Sequence, residues 1–184
     1  MKEFRLDHHL LHSALAGEGK LEQYDLYVSE PQEGTGTRSA LAVARLGSRA
    51  CGHPTFVHGG AIAALLDDVF GCAFFASSLG TGFTANLTVD YRRPLPPDTL
   101  VHVRAAVERT EMSSSGRSKK VFLVGSLVDA ADGRVYTDAR ALFIVKMPPP
   151  SVLQSLLGAM GMAAPPPAQP FHLLPVPPGT PARV

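Results

Sequence analysis

The chain has no tryptophan and only 2 cysteines in 184 residues, and each scarcity excludes something. Cys51 and Cys72 offer neither a disulfide framework nor the paired spacing of a zinc site. Stability therefore has to come from a hydrophobic core, and a reducing compartment fits. Net charge is also scarce: 17 Lys and Arg against 16 Asp and Glu leave +1. No basic stripe with interleaved aromatics stands out, so nothing favours nucleic acid as a partner. The opening Met-Lys-Glu-Phe-Arg-Leu-Asp lacks the apolar run of a secretory signal. No segment is expected to match a membrane span in both length and hydropathy. These absences predict an intracellular, cytoplasmic protein, and a mitochondrial one if a presequence has been removed.

What is present begins with bulk. A 45% hydrophobic content over this length supports one domain with a proper core. The most informative stretch is His58-Gly59-Gly60-Ala-Ile-Ala-Ala-Leu-Leu-Asp67-Asp68. It opens a predicted helix over 59–79, in which Ile62, Leu65, Leu66, Val69, Phe70, Ala73 and Phe74 recur at the three- and four-residue spacing of one buried stripe. Asp67 lies about a quarter turn off that stripe, flanked on its own face by Gly60, Ala63, Ala64 and Gly71. No lysine or arginine stands three or four residues away to pair with it. A carboxylate in apolar surroundings is costly unless it is used. The free N–H groups at the glycine-rich start carry the positive end of the helix dipole and would polarise a carbonyl placed there.

Elsewhere, apolar spacing predicts a short helix over 3–16 that contains His8, His9 and His12. Zinc needs three or four ligands in tetrahedral geometry, so these read as surface histidines and no metal is expected. Strands are predicted over 24–29 and 39–46, then 83–92, 99–109, 119–129 and 134–146. Asp132-Gly133 marks a hairpin. One long helix followed by a run of antiparallel strands is an α+β pattern, with the sheet curled around the helix. From Met147 onward 11 of the 16 prolines accumulate. A helix over 152–162, capped by Ser151, is predicted there, and the rest reads as extended or disordered. The expected division is an N-terminal helical segment (1–23), a main domain (24–147) and a Pro-rich tail (148–184).

His58-Gly59-Gly60, Asp67 nine positions after that histidine, Thr84-Ala85-Asn86-Leu87 and Tyr91-Arg92-Arg93-Pro94 together resemble the hot-dog fold acyl-CoA thioesterases. The likeness is to the branch with the phenylacetate-pathway and mitochondrial long-chain enzymes, and it covers roughly residues 24–145. The resemblance implies a thioester hydrolase with Asp67 as general base or nucleophile, and with the Gly59 and Gly60 amides as oxyanion hole behind His58. It also implies Thr84 as the group that holds the carboxylate or the attacking water. Some members carry an asparagine six residues before the histidine, whereas this chain has Gly52. Arg92, Arg93, Arg117, Lys119 and Lys120 are candidates for the coenzyme A phosphates. Coenzyme A would be part of the substrate, and no separate cofactor or metal is expected.

Gly60 and Asp67, seven residues apart on one helix, are about 10 Å apart along its axis. One chain cannot place both at a single carbonyl, and the resemblance implies the resolution: a homodimer or dimer of dimers with antiparallel helices and shared sites. A non-catalytic acyl-CoA binder and a hot-dog enoyl-CoA hydratase or dehydratase remain the alternatives.

Overall fold

The computed structural model describes residues 9–146. Six strands form one antiparallel sheet: β1 (Leu21–Val28), β2 (Ala40–Leu46), β5 (Gly82–Tyr91), β6 (Leu100–Met112), β7 (Ser118–Asp129) and β8 (Val135–Lys146). Their spatial order is β1-β2-β6-β7-β8-β5. The single long helix, α1 (Gly59–Ala76), runs between β2 and β5 in sequence and lies against the sheet. A two-stranded hairpin of β3 (Cys51–His53) and β4 (Phe56–Val57) leads into it. Periodicity does not reveal this hairpin, because its strands are too short to carry any.

Alternation explains the sheet. In β2, Ala40, Ala42, Ala44 and Leu46 are buried while the residues between them are partly exposed. The buried face of α1 is Ile62, Leu65, Leu66, Val69, Phe70, Ala73 and Phe74, the expected stripe without exception. Phe74 stacks on Phe143 of β8 at a centroid distance of 4.9 Å. Phe70 needs a gap, and Gly125 in mid-β7 supplies it: a Cβ there would stand 2.8 Å from the Phe70 ring. Each such fully buried side chain contributes about 1.5–3 kcal/mol through the hydrophobic effect.

The helix stops three residues short of the predicted end. Ser77 closes it by donating from Oγ to the Ala73 carbonyl at 2.7 Å and accepting the Arg38 N–H at 2.8 Å. The expectation that no segment has the length and hydropathy of a membrane span needs correcting, because α1 has both. Its apolar stripe is spent on the sheet instead. The predicted N-terminal helix is a five-residue π-helical turn, Leu10–Ala14, docked by buried Leu11. The remainder of that prediction, His8 included, and the predicted tail helix lie outside the described residues.

Candidate active site

His58 sits at the N-cap of α1 in extended conformation, and its Nδ1 accepts the Gly60 N–H at 2.9 Å. A cap satisfies one of the four orphan donors of a helix start. Two glycines make the arrangement fit. A Cβ on Gly60 would stand 2.9 Å from His58 Nδ1, and one on Gly52 would stand 2.5 Å from His58 Cδ2. Gly52 thus leaves its space to the imidazole. Gly59 is shaped by a residue that sequence reasoning quoted but did not assign: the Tyr91 hydroxyl donates to the Gly59 carbonyl at 2.7 Å. The Gly59 N–H donates to no acceptor among the described residues. Of the two glycine amides expected at the oxyanion position, Gly60's is occupied by His58 and Gly59's is open.

Two turns further along α1, half-buried Asp67 accepts a hydrogen bond on Oδ1 from Thr84 Oγ1 at 2.9 Å. No lysine or arginine pairs with it among the described residues. Thr84 points inward, but strict alternation along β5 does not put it there: Phe83 is 53% exposed, and Ala85 is exposed as well. Between Thr84 and Asn86 the register with β8 shifts: Thr84 pairs with Phe143 and Asn86 with Leu142. Ala85 is thus the extra residue of a β-bulge, which places Thr84, Leu87 and Val89 on one face despite the broken alternation.

The neighbouring carboxylate has other company. Asp68 accepts on Oδ2 from the Tyr24 hydroxyl of β1, and His9 Nε2 stands 3.4 Å from its Oδ1. Burial, and then the Asp68 charge, push the Tyr24 phenol well above its ordinary value. The same two causes push the Cys72 thiol up to about 12.

The five basic candidates are not brought together. Arg92 binds Asp138 at 2.9 Å and Arg93 donates to the Val135 carbonyl, both beyond the C-terminal end of β5. Lys119 donates to the Leu79 carbonyl, and with Arg117 and Lys120 it lies around the start of β7. The register Lys119↔Val145↔Gly82 puts that group at the opposite end of β5, a strand length of roughly 30 Å away. Within one chain they form two basic clusters, one near Gly59 and one nearer Thr84. A cavity of about 470 Å³ opens beside the start of α1, with Leu15, Leu21, Leu46, Ala61 and Ala64 in its walls.

Comparison with known proteins adds a second line. Residues 55–115 match the family model described as thioesterase superfamily. Acyl-coenzyme A thioesterase THEM4 of Rattus norvegicus is 38% identical over 94 residues, 50% of this chain and 37% of that protein. The Xenopus laevis protein of the same name is 38% identical over 97 residues, 53% of this chain and 40% of its own length. The matched stretch therefore spans well under half of these relatives. Among solved structures, a hypothetical thioesterase protein with coenzyme A from Streptococcus pneumoniae superposes with a TM-score of 0.53 at 13% identity, covering 68% of this chain and 89% of that one. Thioesterase superfamily member 2 of zebra fish gives 0.52 at 15% identity, covering 65% and 80%. At these identities the structures speak for the fold alone.

Proposed function

We propose that this chain, which carries a hot-dog fold domain of the thioesterase superfamily, hydrolyses acyl-coenzyme A to the free acid and coenzyme A. The observation that carries the reading is the Thr84–Asp67 hydrogen bond. It holds a half-buried carboxylate that no lysine or arginine pairs with among the described residues, leaving Oδ2 available to take a proton from water or to attack the thioester carbon. As the carbonyl oxygen gains negative charge, the open Gly59 N–H at the positive end of α1 stabilises it. The C–S bond then breaks and coenzyme A leaves as a thiolate that takes up a proton. By the general-base route the acid forms directly. By the nucleophilic route water must then hydrolyse an acyl-Asp67 anhydride.

Gly59 and Asp67 are eight residues apart on an unbroken helix, about 12 Å along the axis. Two chains with antiparallel α1 helices would bring the Asp67 of one to the Gly59 of the other. The same pairing would bring the Arg92–Arg93 cluster of one chain toward the Lys119–Lys120 cluster of its partner, which suits the phosphates of one nucleotide. The apolar cavity beside Gly60 suits the acyl part. A hydratase would need an imidazole that moves a proton across one carbon-carbon bond, whereas His58 Nδ1 is engaged by the Gly60 N–H.

The test is thiol release from a panel of acyl-CoA substrates of different chain length, with Asp67→Ala in parallel. Turnover that disappears with Asp67 supports the proposal. Binding of acyl-CoA without turnover by the wild type would replace it with a binding function.

A further inference from the structure

On the other side of α1 the fold assembles a set of donors that the sequence kept far apart. His9 and His12 come from the N-terminal turn and Asp68 from mid-helix. One ligand atom from each lies within 4.8 Å of the other two. The carboxylate comes from 56 positions beyond His12.

The geometry favours an ion over a plain hydrogen bond. His9 Nε2 and Asp68 Oδ1 are 3.4 Å apart, beyond the 2.7–3.2 Å of a good N–H···O bond. Two donors on one tetrahedral zinc, each at about 2.0–2.2 Å, stand about 3.4 Å from each other. The carboxylate is also aimed. Tyr24 donates to Oδ2 and fixes the plane of the group, so that Oδ1 is the oxygen turned toward the histidines. Hydrogen bonds of this kind orient carboxylate ligands in metal sites. The His9 and His12 rings are tilted 54° to each other at a centroid distance of 4.7 Å. His12 is exposed and can swing the remaining ångström without disturbing the core.

We propose that His9, His12 and Asp68 bind a divalent transition ion of the zinc class, tying the N-terminal turn to the helix that carries Asp67. Two imidazoles and one carboxylate suit zinc or cobalt. Magnesium and calcium take oxygen ligands and would not be held here. The fourth position faces solvent through His12 and is filled by water. The site stands independently of the thioesterase reading, because neither Asp67 nor Gly59 takes part in it.

The experiment uses the full chain, stripped with a chelator, dialysed and titrated with Zn²⁺ alone by calorimetry, and with Co²⁺ followed by visible absorption. One equivalent of zinc should bind, cobalt should show the intense visible bands of a tetrahedral site, and the melting midpoint should rise with metal concentration. His12→Ala should weaken zinc at least about tenfold, since changes to residues that merely orient ligands already cost that much. It should also abolish the melting shift. The exposure of His12 makes this variant a safe one to fold, and Asp68→Asn, which keeps the shape of the ligand, provides a second. Binding that neither variant weakens, or no binding at millimolar zinc, overturns the site.

Discussion

Asp67 and Asp68 are adjacent in sequence, about 100° apart around α1, and they meet opposite surroundings. Asp67 is met by one threonine hydroxyl from β5. Asp68 is met by a tyrosine hydroxyl from β1, has a histidine alongside and lies close enough to the Cys72 thiol to perturb it. A carboxylate engaged by groups from different elements ties those elements together. One held at a single oxygen keeps the other for a reacting molecule. The contrast assigns chemistry to the first residue and assembly to the second.

The largest effect should come from removing the reactive member. Asp67→Ala is expected to lose about 10²- to 10⁴-fold in turnover, the range for a deleted acid–base group. Asp68→Ala, assayed beside it, should retain far more activity. Equal losses would collapse the distinction. Next in size is complementation between chains. Asp67→Ala mixed with Gly59→Pro, a substitution that removes the open N–H at a position where proline suits a helix start, should recover roughly a quarter of the wild-type rate for random pairing into dimers. Dimers that form and fold yet stay inactive would break the shared-site proposal. Thr84→Ala should then lower kcat about tenfold or more, as expected for a hydrogen bond to a charged group, with KM little changed. Thr84→Ser should restore most of it. On the Asp68 side, Tyr24→Phe should cost about 1.5–3 kcal/mol of stability in urea unfolding. The smallest effect is chemical: with its thiol pushed up to about 12, Cys72 should resist iodoacetamide at pH 8 in the native protein and react once unfolded.

How much of this was legible in the sequence follows from how local each signal is. The buried stripe of α1 could be read in full, because seven apolar positions at helical spacing leave one face to bury. Asp67, Gly59, Gly60 and Thr84 stood out through their motif, and the structure places Thr84 on Asp67. The phase of β5 around Thr84 was not legible, because a bulge leaves no mark on residue type. The surroundings of Asp68 were not legible at all. They depend on Tyr24, 44 positions away, reaching across from the edge strand, and no periodicity reports a contact of that range. The five basic residues looked like one group only because sequence shows charge without distance.

The bulge at Ala85 has one more consequence. Downstream of it, β5 answers to the core through Leu87 and Val89; upstream, it answers to the helix carboxylate through Thr84. The extra residue works as a clutch between two reading frames on one strand. Deleting Ala85 would restore strict alternation and still leave Thr84 on the face of Leu87 and Val89, since Thr84 and Leu87 would then stand two residues apart. Drawing Ala85 into the ladder would instead turn Phe83 inward and Thr84 outward, so the unpaired residue is what lets this strand keep both its core contacts and its hydroxyl beside Asp67.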